Sequence, residues 1–307
     1  MQSNTLAART NKTAAVEISS GSPIRDHYQN QLLLECEINL ASGKLKLPTI
    51  PDISLKIRRA VQDEKANNLK IARVVQMDPA MTARLVQIAN SPLYRGRKTI
   101  ESCPEAVTRL GLRATQDLVT SFALKSVFNT QSKLLQQQMH DLWDQSSYVA
   151  AICAVIAQKT PGFDPDRAML AGLIHNIGVV PVLTYADQHQ VFASDAEKLE
   201  QTIAQLREKI GAMILKQWGF PPDFIDVVKN CRNWNRDPNP KADYTDLVMV
   251  SILHSYIGTN QVHNHPIMDT LPAYRKLATG KLDALLSKNI LDAAKDEIHQ
   301  IQQILSL

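Results

Sequence analysis

The fold is decided by residues 168–183, which read Ala-Met-Leu-Ala-Gly-Leu-Ile-His-Asn-Ile-Gly-Val-Val-Pro-Val-Leu. The stretch is apolar almost throughout, and this predicts a buried helix. We place that helix from about Arg167 to Asn176, and we expect Gly178 and Pro181 to break it. Everything else in the chain is organised around this apolar run.

Two polar side chains, His175 and Asn176, interrupt the apolar run. Burying each of them costs on the order of 1–3 kcal/mol unless it is hydrogen-bonded or ligated. An adjacent histidine and aspartate would form a pair of metal ligands at such a place. Here the second residue is asparagine, which is neutral and a poor metal ligand. The function of the protein depends on that missing charge.

Composition predicts an all-α protein. Of the 307 residues, 44% are apolar and only 5% are aromatic, glycine is scarce, and few segments alternate with period two. The four cysteines (Cys36, Cys103, Cys153 and Cys231) lie far apart, as in the reduced proteins of the cytoplasm. No apolar run approaches the ~20 residues of a membrane span, and residues 1–24 contain no hydrophobic signal region. We therefore expect a cytoplasmic protein without a membrane partner.

Helical periodicity divides the chain into four parts. Residues 1–24 are predicted to be a disordered tail and residues 25–46 an N-terminal helix. The main domain is predicted over residues 47–258, and residues 259–307 form a helical extension. The last helix either packs on the domain, which we favour, or supports a homodimer. Asp78, Ser102 and Asp166 are predicted helix caps.

Five stretches together carry a family signature. They are Leu47-Pro-Thr-Ile-Pro, Asp78-Pro-Ala-Met-Thr-Ala-Arg-Leu-Val-Gln-Ile-Ala-Asn-Ser, Ile100 through Leu112 with Arg109-Leu-Gly-Leu at its end, Ala171-Gly-Leu-Ile-His-Asn-Ile-Gly and Lys216-Gln-Trp-Gly-Phe-Pro. In their order and spacing the sequence resembles the HDOD family, the HD-related output domain of bacterial signalling proteins. The resemblance covers about residues 45–258 and implies an all-α, HD-like fold with two packed helical lobes, over about 47–130 and 131–258. It also implies a cytoplasmic protein of signal transduction, from a family whose members generally lack demonstrated enzymatic activity.

The related HD phosphohydrolases use histidines and aspartates to hold one or two divalent ions, which activate a bound water. The resemblance places Gln145 where their first histidine stands and His175-Asn176 where their His-Asp pair stands. Their late aspartate falls at about His254, and their intermediate histidines fall near Arg207 and near Asn230-Cys231. Two imidazoles without an anionic ligand make a weak divalent site. We therefore expect no catalytic residue and no cofactor.

Two interpretations of His175 stay open at this point. It is either a core histidine, hydrogen-bonded to a backbone carbonyl or to Asn176 and Gln145, or a ligand of a residual divalent metal. We favour the first interpretation. His263-Asn264-His265 reads as a surface loop, because no partner motif accompanies it.

A basic segment is the second candidate for binding. Six Arg or Lys against two Glu fall between Arg84 and Arg113, and this local charge suits an anion or an acidic partner. A solvated face is the favoured alternative. Nucleic-acid binding ranks last, because no recognition helix or stacking platform is evident. The candidate contacts are Arg84, Arg95, Arg97 and Lys98.

Two functions follow from these observations. The first is a non-catalytic regulatory module that binds a signalling protein, whose identity the sequence does not give, or a small ligand. The second is a metal-dependent phosphohydrolase that acts on nucleotides or cyclic dinucleotides, with its metal near His175. The loss of carboxylates favours the first.

Overall fold

The structure is a computed structural model that describes residue 42 and residues 47–94, 96, 98–133, 135–188, 196–278 and 292–307. The chain divides into two units, Met1–Leu45 and Lys46–Leu307. Apart from residue 42, the predicted tail and N-terminal helix lie outside the described residues. All of the architecture below therefore belongs to the second unit.

The described part of the chain contains thirteen α-helices and no strand, so the predicted all-α class is confirmed. Three short 3-10 helices accompany them, at Lys125–Phe128, Asn260–Asn264 and Met268–Thr270. The α-helices are α1 (Asp52–Gln62), α2 (Asn68–Val75), α3 (Pro79–Ala89), α4 (Cys103–Leu110), α5 (Leu112–Leu124), α6 (Gln136–Lys159), α7 (Pro165–Ile174), α8 (Val179–Gln188), α9 (Ala196–Gln217), α10 (Pro222–Asn230), α11 (Tyr244–Ser255), α12 (Pro272–Ala278) and α13 (Lys295–Ser306).

The first lobe, α1 to α5, begins its helices at the predicted caps. The Asp78 carboxylate accepts hydrogen bonds from the backbone N–H groups of Ala80 and Met81, at 2.9 and 3.1 Å. The Ser102 hydroxyl accepts from the N–H of Glu105 at 3.4 Å. These side chains satisfy donors that the first helical turn leaves without partners. The sequence therefore located the starts of α3 and α4 correctly.

Helix α6 is the centre of the second lobe. It packs on α7, α11 and α13, and its C-terminal half is buried on every face. Gly172 of α7 lies directly against α6, because a Cβ atom there would lie 2.7 Å from the Ala150 Cα. Helix α7 also packs against α5 of the first lobe, so the two lobes are joined through the apolar run.

The apolar run folds as two helices with a turn between them, which corrects two predictions. Helix α7 ends at Ile174, before the polar pair, and α8 starts at Val179. Pro181 lies in the first turn of α8 and does not break it, since a proline there removes no intrahelical hydrogen bond. Asp166 is not the cap: Asp164 stands at that position, without a side-chain hydrogen bond, and Asp166 lies in the first turn.

By length and composition alone, the stretch Pro165–Asp187 could cross a membrane, since it has 23 residues and a mean hydropathy of 1.5. The expectation that no apolar run approaches that length is therefore wrong for this stretch. In the structure 89% of the apolar window is buried inside the protein, as in a core helix. It is the one such stretch among the residues that the structure describes.

The last helix, α13, packs on α6. Ile298, Ile301, Ile304 and Leu305 of α13 are buried. Its final turn is also bound by polar side chains: Trp143 donates its indole N–H to the Ser306 hydroxyl at 3.3 Å, and Lys125 donates to the Ser306 carbonyl. Packing on the domain, the favoured use of this helix, is what the structure shows.

Acidic side chains meet where α5 contacts α7. Asp117 of α5 is buried, and burial raises the pKa of its carboxyl to about 7. The negative charge of Asp166 on α7 raises this pKa further, while Arg167 lowers it. Arg167 is itself paired with Asp223, at 2.5 Å between Nη2 and Oδ2. At the contact between the lobes, the acidic side chains therefore outnumber the cations that neutralise them.

We expect an Asp117→Asn variant to be more stable than the wild type at pH 8, on the order of 1–2 kcal/mol. A carboxyl whose folded pKa is raised is protonated in both states only well below its unfolded pKa of 3.8. It destabilises the folded state progressively as pH rises from there to about 7, because ionising it is harder in the folded protein. The gain should therefore be much smaller at pH 4 than at pH 8. Urea unfolding of both proteins at pH 4 and pH 8 measures it.

Asp269→Asn is the matched control, because Asp269 is exposed in a 3-10 helix away from this contact. It should leave the stability difference between the two pH values unchanged. A gain for Asp117→Asn that is equally large at pH 4 would contradict the electrostatic explanation.

Candidate functional site

The polar pair lies in the turn between α7 and α8. His175 directly follows the last residue of α7, and both His175 and Asn176 are only 2% exposed. Gly178 makes this turn possible, because the backbone of α9 passes directly against it. A Cβ atom on Gly178 would lie 1.9 Å from the carbonyl oxygen of Arg207. The lack of a side chain at Gly178 therefore allows α9, and with it Arg207, to pack directly against the turn.

His175 is a neutral, hydrogen-bonded histidine. Its Nδ1 lies 2.5 Å from the carbonyl oxygen of Gly172, so Nδ1–H is the donor and Nε2 carries the lone pair. Burial lowers the pKa of His175 to about 3, and the positive charges of Arg232 and Arg207 lower it further. Of the two bonding arrangements considered for a core histidine, the structure has the backbone carbonyl.

Three buried polar atoms around the turn have no partner in the described part of the chain. They are His175 Nε2, Asn176 Oδ1 and Arg207 Nε. Gln145 does not bond to the pair, and its amide donates to the Tyr256 hydroxyl at 3.4 Å. A buried polar group without a partner is costly, so such atoms commonly mark a binding site or a site of ordered water.

A cavity of about 500 Å³ opens beside the pair. The sequence predicted four positions of an HD-like site, and two of them, Gln145 and Asn176, line this cavity. Arg207 of α9, Arg232 and Tyr256 also line it, and the remaining polar lining comes from Gln138, Asp141, Glu200 and Gln261. The apolar wall is formed by Leu142, Val179, Leu183, Leu199 and Ile203.

Two guanidinium groups, those of Arg207 and Arg232, contribute positive charge to this cavity. Burial lowers the pKa of Arg207 to about 10, and the positive charge of Arg232 lowers it further, so the two cations lie near each other. Arg207 still carries its charge at neutral pH. Arg232 contacts the Cys231 Sγ at 3.8 Å. Within the described residues neither guanidinium forms an ion pair.

His254 lies at a different place from the other three predicted positions. It sits on α11 and lines a second cavity, of about 340 Å³, together with Tyr148, Ile152 and His299. Burial lowers the pKa of His254 to about 4, so its imidazole is neutral at physiological pH. The structure thus places Gln145 and Asn176 on one cavity, beside His175, and His254 on another.

A family model for the HDOD domain matches residues 47–233, more than half of the chain. The chain belongs to the HDOD domain family. Among solved structures, this HDOD protein is similar to one from Shewanella amazonensis SB2B provisionally called a metal-dependent phosphohydrolase. Identity is 27%, the TM-score is 0.76, and the match covers 91% of this chain and 99% of that one.

A second solved structure is an HDOD domain protein of unknown function from Geobacter sulfurreducens. At 24% identity it shares the fold, with a TM-score of 0.64 over 91% of this chain and 98% of that one. An uncharacterised protein of Treponema pallidum (strain Nichols) is 26% identical over 217 residues. That match covers 66% of this chain and 40% of the Treponema protein, so it spans less than half of the relative's length.

The residues of this HDOD domain do not fit the metal centre of the HD phosphohydrolases. In the described ranges, no group of three or more His, Cys, Asp or Glu side chains is placed to hold a metal ion. The charges that act on the pKa of His175 are instead those of the guanidiniums of Arg232 and Arg207, which repel a divalent cation. The absence of a bound metal in the protein itself stays a prediction.

Part of the positive charge of the basic segment, residues 84–113, is used for contacts inside the fold. Arg84 is half-buried and donates to the carbonyl of Phe122 at 3.3 Å, which uses part of its guanidinium inside the fold. Lys98 is exposed, and its carbonyl accepts a hydrogen bond from Arg109. Arg95 and Arg97 lie outside the described residues. Whether this segment contacts an anion or a partner stays a prediction.

The structure also gives His265 a role that the sequence did not reveal. Its ring stacks on Tyr256, with centroids 4.2 Å apart and planes at 4° to each other, and its other neighbour is Trp234 at 5.8 Å. Burial, Arg232 and Arg207 all lower the pKa of His265. His265 therefore supports the aromatic side of the cavity, whereas His263 is exposed, as expected for a surface loop.

Proposed function

We propose that this HDOD protein is a non-catalytic module of bacterial signal transduction, which acts by binding a protein or a small ligand. One observation supports this most directly. Where HD phosphohydrolases place carboxylates and imidazoles, this chain has Gln145 and Asn176, with Arg207 and Arg232 beside them. Amide and guanidinium groups bind anions and hydrogen-bonding ligands, but they do not activate a metal-bound water.

We further propose that the protein acts in the cytoplasm on a signalling protein. Co-purification from the native host, followed by mass spectrometry, tests this. The expected result is a signalling protein that is recovered in stoichiometric amount. Recovery of the chain alone would count against a stable protein partner.

A metal-dependent phosphohydrolase of nucleotides or cyclic dinucleotides is the second candidate. Its support is the likeness to the Shewanella protein over nearly the whole chain. Elemental analysis of protein purified without a histidine tag separates the two functions. Iron, manganese or zinc at one or more ions per chain would favour the enzyme, and only trace metal would favour the binding module.

We expect that Asn176→Asp alone does not create phosphodiesterase activity. The new carboxylate would lie beside His175, but Gln145 still supplies an amide and His254 lines another cavity. One carboxylate and one imidazole are too few ligands for a catalytic divalent ion. The measurement is hydrolysis of bis(p-nitrophenyl) phosphate and of cyclic dinucleotides with added Mn²⁺, for the variant and the wild type.

A known HD phosphodiesterase in the same assay serves as the positive control. Turnover by Asn176→Asp above the wild-type background would show that a metal centre is one substitution away, and it would overturn the proposed function. Added Mn²⁺ should also leave the melting temperature of the variant unchanged.

A further inference from the structure

The cavity beside His175 carries two positive charges that form no ion pair within the described residues, although the carboxylate of Glu208 acts on Arg207 from nearby and raises its pKa. Arg207 and Arg232 both line it, and no carboxylate within the described ranges is paired with either guanidinium. Its two acidic lining residues, Asp141 and Glu200, are exposed, and Asp141 accepts a hydrogen bond from Gln137 at 2.8 Å. Holding two partly buried cations together is unfavourable unless an anion joins them.

The polar side chains of the cavity are also available to a ligand. Arg207 lines the cavity, and its guanidinium forms no hydrogen bond within the described residues. A guanidinium binds the oxygens of phosphate through two parallel N–H donors, and this geometry suits phosphate better than a single-atom anion. Asn176 lines the same cavity, and its amide is the kind of group that hydrogen-bonds a hydroxyl or amino group of a ligand.

Size and wall chemistry indicate an organic molecule. About 500 Å³ is within the usual range for small-molecule sites, and it exceeds what a single inorganic ion fills. Five aliphatic side chains line one part of the cavity. The Tyr256 ring lines another and is kept in place by the stacked ring of His265. Apolar walls with a few convergent polar groups are typical of sites that hold a ligand body and fix one charged end.

We propose that this cavity binds a small organic phosphate, with Arg207 and Arg232 as the residues that hold the phosphate group. The inference rests on the proposed function as a binding module and names the chemistry of its ligand. The phosphate oxygens accept from both guanidiniums, the Asn176 amide hydrogen-bonds the ligand body, and the aliphatic wall covers the remainder. The basic charge that disfavours a divalent metal is thus the charge that holds the ligand.

Binding of three probes to the full chain tests this, by titration calorimetry at constant ionic strength. The probes are adenosine 5′-monophosphate, inorganic pyrophosphate and adenosine, the neutral counterpart of the first. We expect the monophosphate to bind and adenosine to bind at least about tenfold more weakly, because a charge-assisted hydrogen bond accounts for such a difference. Equal binding of adenosine and its monophosphate would overturn the inference.

Arginine variants locate the site. Arg207→Gln and Arg232→Gln should each weaken binding of the monophosphate about tenfold or more. Arg73→Gln, an exposed arginine of α2 that does not line the cavity, should leave the affinity unchanged. Because neither cavity arginine is in an ion pair, the melting temperatures without ligand should stay within a few degrees of the wild type. Unchanged affinity in Arg207→Gln would contradict the assignment.

The outcomes also separate this inference from the proposed function. If neither anion binds and the protein contains no metal, the phosphate site is wrong and the binding module stands. If pyrophosphate binds and the monophosphate does not, the anion site stands and the organic body is wrong. If the chain hydrolyses the probes with a bound metal, the proposed function itself fails.

Discussion

A Gly178→Ala variant is expected to lose about 3 kcal/mol or more of its free energy of unfolding. An added Cβ would lie 1.9 Å from the Arg207 carbonyl oxygen and 2.6 Å from the Gly211 backbone nitrogen. Overpacking costs about 1–3 kcal/mol where side chains can move aside, but here the opposing atoms are backbone, so α8 and α9 must separate. Urea unfolding followed by far-ultraviolet circular dichroism measures the loss.

Gly162→Ala is the control for this prediction. Gly162 has φ +92°, and nothing lies within 4 Å of the position its Cβ would take. Alanine there is therefore strained by its backbone conformation alone, at about 1–2 kcal/mol. Gly178 has no such strain, so its cost comes only from the contact. If Gly178→Ala were no more destabilising than Gly162→Ala, the close approach of α9 to the turn would be incorrect.

An Asn90→Leu variant is expected to lose about 2–4 kcal/mol. Asn90 ends α3 and joins it to the segment that follows. Its Nδ2 donates to the carbonyls of Val86 and Ile100, at 3.1 and 2.7 Å, and its Oδ1 accepts from the Ile100 N–H at 2.8 Å. Leucine would leave both backbone groups of Ile100, a buried residue, without a partner. A thermal scan and a urea titration give the size of the loss.

Gln87→Leu is matched to this variant, because Gln87 is an exposed residue of the same helix. Its effect should stay within about 0.5 kcal/mol. Equal stability of Asn90→Leu and Gln87→Leu would show that the bridge to Ile100 does not hold the segment. Asn90→Leu should also leave the affinity of the Arg207 cavity for phosphate unchanged, because its effect is on the first lobe.

The helices could be predicted because their signals are local. Asp78 and Ser102 were identified as caps from the residues that follow them, and both accept the expected backbone hydrogen bonds. The boundary at His175 was placed two residues too late, since apolar periodicity continues through the turn. What ends α7 there is the contact of Gly178 with α9, about thirty residues further along the chain. A contact at that distance has no signature in local periodicity.

The candidate site could be predicted only in part, because some of its residues come together only in the folded protein. The family resemblance pointed to Gln145 and Asn176, and both line the cavity. It also pointed to a position near Arg207, but as a missing histidine and without a role for the arginine itself. It pointed as well to Asn230-Cys231, next to Arg232, again only as a missing histidine. Tyr256 and His265 come from a different stretch of the chain, and only the packing of α9 to α11 brings these residues together. The positive charge of the cavity and the stacking of the two rings arise only from the tertiary structure.

The packing of α13 on α6 can be followed by intrinsic tryptophan fluorescence. The Trp143 indole is 3% exposed and is hydrogen-bonded to Ser306 in the final turn of α13. If that turn detaches, water reaches the indole and its fluorescence emission shifts to longer wavelength. Trp218 and Trp234 also emit, so comparison with a Trp143→Phe variant isolates the signal that reports whether a ligand or a binding protein releases the last helix.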